Sequence, residues 1–231
     1  MPWRCVWIRI DSLTRGCPWP IFVPGSPAAR PAVATQLRRL RRDELPFDTI
    51  RLARYLIGKT LVHATRGGRA VSGRIVEAEA YPPRDPAGHA FRGHTASNHS
   101  LFLERGFAYV YFAYGSSFMM NVSSDRGGVG AGVLIRALEP LDGVALMRRR
   151  RRRTALRDLA RGPGRTAAAL AIDKRVDGVD LCGHGPLWLA AAVRRRGAIA
   201  VSRRIGISRA VDWPLRFYER GNRFVSGPAL R

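Results

Sequence analysis

Lysine is almost absent from this chain: of its 231 residues only Lys59 and Lys174 are lysines, so its basicity is carried by arginine. Acid is scarce as well, with 17 Asp+Glu against 40 Lys+Arg and a formal net charge of +23. Such a surface attracts polyanions, nucleic acid first among them, and releases their counterions on binding. Enrichment of arginine through codon bias alone is the competing reading. Cysteine is limited to Cys5, Cys17 and Cys182, an odd count at irregular spacing with no CxxC pair, which indicates neither a disulfide framework nor a zinc or iron–sulfur site. Long apolar runs are missing too. The most apolar early stretch, residues 21–23, is short and follows Arg4, Arg9, Asp11 and Arg15, which excludes a signal peptide and a membrane span. A reducing, cytoplasmic compartment is the expectation, nucleoid-associated if the source is prokaryotic. P-loop, Rossmann glycine fingerprint, GxSxG and HExxH motifs are all absent, as are internal repeats.

What is present is enough apolar material for a core, 46% of residues, which excludes disorder throughout. The length suits one domain with a tail. Residues 1–44 scatter Trp, Pro and Arg without period and end in Leu37-Arg38-Arg39-Leu40-Arg41-Arg42; we read them as a basic, disordered tail ahead of a domain spanning 45–231. Asp48 predicts an N-cap for a helix over 51–57, with Phe47 and Leu52 as a hydrophobic staple and Gly58 as the stop. Strands are expected at 61–64 and 70–81, joined by a Gly67-Gly68 turn. Strand alternation puts Val71, Ile75, Glu77, Glu79 and Tyr81 on one face. A long Pro-, Gly- and His-rich loop covers 82–105, a length that is often functional. An aromatic hairpin follows, 107–114 and 118–122, with Tyr114 at its tip, then an apolar strand over 131–138. Pro140 predicts the first turn of a helix running through the arginines 148–153 to about 160, ended by Gly162-Pro163-Gly164. A short helix at 166–171 and strands at 198–202 and 215–219 complete the reading. The mixture argues an α+β class: one mixed domain with a curved antiparallel sheet flanked by helices.

Several side chains could carry chemistry. Glu77 and Glu79 sit on a face that begins apolar, where a desolvated carboxylate gains a raised pKa and can take a proton from water; two solvated acids at a strand end are the plain alternative, and periodicity does not choose between them. Tyr109 and Tyr111 face one way and Tyr114 the other. Aromatics in strands are usually core, yet a nucleobase pocket needs aromatic walls and a hairpin-tip aromatic can fill the gap left by a flipped base. Asn121, an amide in an apolar strand, is either satisfied by backbone or reads a ligand edge. Arg136, in Val133-Leu134-Ile135-Arg136-Ala137-Leu138-Glu139, must be paired if buried; Glu79 would let the pair hold a water, and Glu139 is the alternative. His89, His94 and His99 recur every five residues, but not with zinc-motif spacing. The run 148–153 reads as a solvated basic helix near phosphate rather than a readout element.

Taken together, Arg74-Ile75-Val76-Glu77-Ala78-Glu79-Ala80-Tyr81, Tyr109-Val110-Tyr111-Phe112-Ala113-Tyr114-Gly115, Met120-Asn121-Val122-Ser123-Ser124, the Arg136 strand with Pro140, Gly162-Pro163-Gly164 and Pro214-Leu215-Arg216-Phe217-Tyr218 resemble, in order, the alkyladenine (3-methyladenine) DNA glycosylase family. The likeness covers residues 45–226. It implies a monofunctional glycosylase, a monomer without metal or cofactor, that flips alkylated or deaminated purines from double-stranded DNA and hydrolyses the N-glycosidic bond to start base-excision repair. The family's Glu-Ala-Tyr triplet selects Glu79 as general base, and Arg136 resembles the arginine that positions the attacking water. Tyr81, His89 and Tyr111 resemble the residues that sandwich and hydrogen-bond the flipped base, Tyr114 the intercalating tyrosine, and Asn121 the asparagine that disfavours guanine through its 2-amino group. Ser97 stands where the family usually has Arg, and Arg165 where Lys is common. The chemistry is self-consistent: a cationic purine is already a good leaving group, so a base-activated water and an aromatic pocket can suffice. Neither Lys59 nor Lys174 sits where an amine nucleophile is expected.

Two other classes compete. One is a non-enzymatic basic nucleic-acid-binding protein whose aromatics stack on bases. The other is a metal-dependent nuclease built on the His loop.

Overall fold

A computed structural model of the chain describes residues 37–65 and 69–227; the Gly67-Gly68 turn and most of the expected tail lie outside them. The fold is α+β, a curled antiparallel half-barrel sheet with helices against it. The strands are β1 (Thr60–Ala64), β2 (Ala70–Tyr81), β3 (Ala108–Ala113), β4 (Ser117–Ser123), β5 (Gly132–Pro140), β6 (Leu187–Ala190), β7 (Ile199–Ser202) and β8 (Arg216–Glu219). Their order is β3-β4-β5-β2-β1-β6, with β8 and then β7 branching from β2. The long strand β2 is the hub. One of its edges pairs with β5, and the other pairs first with β1 through residues 70–74 and then with β8 through residues 77–79.

Helix α1 (Thr49–Leu56) starts where the sequence suggests: the Asp48 side chain accepts from the Arg51 N–H, and Gly58, at φ 92, ends it. It buries Leu52, Ala53 and Leu56 against the sheet. Phe47 does not form the expected staple. It is exposed and lies under the Arg105 guanidinium at 3.6 Å, a cation–π contact that competes with packing on Leu52. Residues 37–44 also differ from a disordered tail: Leu40 is fully buried in the main core, its N–H donates to Leu189 O, and Arg39 bridges to Ala190. The segment helps to cover the edge of β6, giving Leu189 O its donor beside the Leu189 N–H that Leu181 O holds. Strand β6 itself has no counterpart in the sequence reading; four residues beside a glycine-rich stretch leave no alternation to detect.

The helix expected from Pro140 is displaced and shortened. Pro140 ends β5, opposite Gly73, a strand-end position that needs no N–H. The turn after it returns the chain to β2 through Leu141 N–H to Ser72 O, so α2 (Val144–Arg151) starts only after Gly143 at φ 69. It stops at left-handed Arg152, within the like-charged run that resists continued winding. The Gly162-Pro163-Gly164 segment begins a helix rather than ending one: Pro163 is the first residue of α3 (Pro163–Leu170), where its missing N–H costs nothing. Thr166 of α3 donates to the carbonyls of Arg136 and Ala160, which fixes the helix on β5.

Alternation along β2 fails at one point that matters. Register shifts flank Glu77 in the β2–β5 ladder, and both Ile75 and Ala78 face the main core. Two residues, Val76 and Glu77, therefore intervene on the opposite side. Glu77, Glu79 and Tyr81 do not share a face with Val71 and Ile75. They belong to the second face, which β5, β8 and the segment before β8 supply with arginines.

Candidate active site

On that second face the carboxylates of Glu77 and Glu79 are fully buried, so each must be paired and hydrogen-bonded. Glu77 accepts from Arg136 Nε at 3.1 Å, Arg216 Nε at 2.7 Å, and both the N–H and hydroxyl of Ser226 at 2.6 and 3.0 Å. Both carboxylate oxygens are engaged inside the protein. Glu79 accepts at Oε1 from the Ile205 N–H, 2.8 Å, and at Oε2 from Tyr81 Oη, 3.1 Å, and Arg136 Nη1, 3.2 Å. Arg136 Nη1 also lies 3.4 Å from Ile205 O. Arg136 thus pairs with both glutamates, while Glu139 binds Arg74 and Arg194 instead.

Burial pushes the Glu79 carboxyl above its ordinary 4.5, against the opposing pull of Arg136, the Ile205 N–H and Tyr81. A base shifted upward is closer to water-activating strength near neutral pH.

Tyr81, His89, Tyr111, Tyr114, Asn121 and Arg136 line one cavity of about 550 Å³, and Glu79, fully buried and outside that lining, is bonded to two of them. The walls are aromatic. The rings of His89 and Tyr111 meet edge-on with centroids 4.2 Å apart, and Tyr111 stacks on Tyr109 at 5.4 Å. His89 Nδ1 is hydrogen-bonded to Tyr109 Oη at 2.9 Å, and burial lowers the pKa of its ring. Burial raises Tyr81 and Tyr111 above the usual phenol range. The aromatic walls therefore stay neutral at pH 7, while Arg92, Arg136 and Arg209 bring positive charge to the lining.

Tyr114 departs from the expected direction. At the tip of the β3–β4 turn it adopts φ 53, and this left-handed conformation brings its side chain to the cavity mouth rather than away from Tyr111. The side chain is 77% exposed, and its hydroxyl donates to Gly206 O at 3.1 Å. Asn121 is buried on the cavity wall, and its amide has no hydrogen-bond partner among the described residues. Of the three loop histidines, His94 and His99 hydrogen-bond each other at 3.1 Å, away from His89. No group of three or more His, Cys, Asp or Glu that could hold a metal occurs among the described residues.

Sequence reasoning missed the strap at residues 204–209. Ile205, Gly206, Ile207, Ser208 and Arg209 line the cavity, and Ile205 contributes through backbone atoms, which no side-chain pattern announces. Arg216, quoted only within the Pro214–Tyr218 block, and Ser226 were not read as partners of Glu77: the β2–β8 register sets Arg216 opposite Glu79, and Ser226 reaches Glu77 from beyond β8.

Among known families, the description of the methylpurine-DNA glycosylases matches residues 43–223. A protein of Mesorhizobium japonicum named "Putative 3-methyladenine DNA glycosylase" is 62% identical over 189 residues, covering 82% of this chain and 90% of the relative. One of the same name from Paraburkholderia phytofirmans is 51% identical, covering 82% and 88%. The Mus musculus protein named "DNA-3-methyladenine glycosylase" is 42% identical over 205 residues, covering 81% of this chain and 61% of the relative.

Proposed function

The chain belongs to the methylpurine-DNA glycosylase family, and on that premise we propose that it flips alkylated or deaminated purines out of duplex DNA and cleaves their N-glycosidic bond with a water activated by Glu79. As a 3-methyladenine DNA glycosylase it is a hydrolase of DNA repair with damaged DNA as substrate. The finer mechanism is supported by one observation above all: a fully buried carboxylate bonded to residues that line an aromatic cavity, the Arg136 guanidinium, the Tyr81 hydroxyl and the Ile205 N–H.

In this reading the extruded purine enters between Tyr81 on one side and His89 and Tyr111 on the other, and its C1′ comes to rest above Glu79. A water held by Glu79 Oε2, Arg136 Nη1 and Ile205 O attacks C1′ as the glycosidic bond breaks. Its oxygen bonds to the sugar, its proton passes to Glu79, and the bonding pair leaves with the base. The products are the free purine and an abasic site. A positively charged alkylated base departs as the neutral purine; a neutral deaminated purine departs as an anion and takes a proton from solvent water to become the free base. The unpartnered Asn121 amide is free to meet the purine edge, where a 2-amino group would place donor against donor or crowd the wall. Tyr114 fills the vacated stack once its hydroxyl releases Gly206. All these groups lie on one chain, so a monomer is sufficient.

The test is incubation, without added metal, with separate duplexes carrying 3-methyladenine-type damage, ethenoadenine or hypoxanthine, followed by assay of free base and alkali-labile sites. Release that disappears in Glu79→Gln is expected. Tight, salt-sensitive binding with no release from any duplex would assign the aromatics to stacking alone and remove the enzymatic reading.

A further inference from the structure

Two loops flank the cavity: residues 82–92, which carry Pro86, Ala87 and His89, and the strap 204–209. A single ion pair joins them. Arg204 and Asp85 both have fully buried side chains, and they meet through two contacts, Nη1 with Oδ2 and Nη2 with Oδ1, the latter at 3.0 Å. Arg204 Nη1 also donates to the carbonyl of Ala80 at 3.1 Å, the peptide between Glu79 and Tyr81. The guanidinium lies 4.6 Å from the Tyr81 ring centroid; because Arg204 does not line the cavity while Tyr81 does, it backs the ring from behind. Asp85 in turn accepts from the Ala87 N–H at 2.9 Å. The next residue along the strap is Ile205, whose N–H holds Glu79 and whose carbonyl meets Arg136.

This arrangement is expensive. Arg204 Nε is buried with no acceptor, and a buried charge pair contributes little net stability compared with apolar residues of the same volume. What it does provide is a fixed distance between the strap, the end of β2 and the His89 loop. We propose that Arg204, clamped by Asp85, is a positioning residue for the chemical step: it sets the plane of Tyr81 and holds the Ile205 peptide where it orients Glu79. The inference rests on the reading of Glu79 as general base. Arg204 touches neither substrate nor water; it acts through its neighbours.

The test uses the intact chain and two variants. Asp85→Asn combined with Arg204→Met removes both charges while keeping the acceptor for Ala87, so no unpaired buried charge remains. Single-turnover excision at saturating enzyme is expected to fall about 100-fold, the scale of a misplacement near 1 Å, with the Kd for damaged duplex unchanged. The acid limb of the pH–rate profile should move upward, because Glu79 loses a donor that favours its ionised form. Arg204→Lys keeps the charge pair but cannot reach Asp85 and Ala80 O while lying flat on Tyr81; a loss of about tenfold is expected. This variant also answers the question if the double variant does not fold. Wild-type rate and acid limb in either folded variant, or a loss confined to Kd, overturns the proposal. Glu79→Gln run in parallel separates the two failures. Retained excision there sinks the general-base reading and this inference with it, whereas a dead Glu79→Gln beside fully active Arg204 variants sinks the inference alone.

Discussion

Glu77 and Glu79 stand two residues apart, are equally buried and both bind Arg136, yet the structure gives them opposite sensitivities to the same amide substitution. Glu77 is surrounded only by donors: two guanidinium groups and a hydroxyl at one oxygen or nearby, and the Ser226 N–H at the other. Glutamine there must turn its NH₂ either against Ser226 N–H or against Arg136 and Arg216, and it removes the carboxylate charge that those two arginines share. Breaking a buried pair in this way costs about 3–5 kcal/mol. At roughly 2–4 °C per kcal/mol for a domain of this size, Tm should fall by about 6–20 °C.

Glu79→Gln meets a milder field. Its carbonyl can keep the Ile205 N–H, Tyr81 Oη can rotate to accept from the new NH₂, and the carboxylate it replaces was already disfavoured by burial. One buried charge contact is lost, but Arg136 keeps Glu77, so Tm should fall less than in Glu77→Gln while excision disappears. Thermal and urea unfolding, read beside single-turnover excision on each variant, check both halves. A Glu77→Gln protein as stable as wild type, or a Glu79→Gln protein that still releases base, would refute the division of labour between the two carboxylates.

Three further outcomes follow from the site. Because Glu79 must be ionised to accept a proton and burial raises its pKa above 4.5, the excision rate should decline as pH falls through a value above the ordinary carboxylate range; a rate still flat at pH 4.5 in the folded protein contradicts this. Tyr114→Phe removes only an exposed hydrogen bond to Gly206, worth at most about 1 kcal/mol, and should keep excision, whereas Tyr114→Ala should slow it by weakening capture of the flipped state. Equal rates for these two variants would discard the intercalating role. Asn121→Ala should raise excision of guanine-derived relative to adenine-derived lesions, measured as the ratio of single-turnover rates, and an unchanged ratio would show that the amide does not read the 2-amino edge.

The fold class and most strand positions were legible in the sequence because alternation and turn residues are local signals. Asp48 capped its helix as read, and the aromatic hairpin with Tyr114 at its tip is present. Helix ends after β5 were not legible. Pro140 and Pro163 carry the same stiffness, and only the tertiary return of Leu141 to Ser72 decides that the first closes a strand while the second opens a helix. The candidate side chains were recognisable as a set through resemblance, but their grouping depends on contacts distant in sequence, such as Ile205 with Glu79.

The least legible feature is also the one on which the site depends. Uniform alternation along β2 would put Ile75, Glu77 and Glu79 on one face, where the carboxylates would meet Leu56, Leu138 and the rest of the main core. The irregularity at Val76 and Glu77 is matched on β5, where Arg136 and Ala137 lie between Ile135 and Leu138, both of which face that core. Both strands change phase together. Apolar residues before and after the break therefore face one layer, while Glu77, Glu79 and Arg136 emerge together on the other. A strand with strict period two would have to choose between filling the core at both ends and gathering these charges; a paired break allows both. Its sequence trace is only that Ile75 and Ala78, and likewise Ile135 and Leu138, are three residues apart. That spacing acquires its meaning from the pairing of β2 with β5.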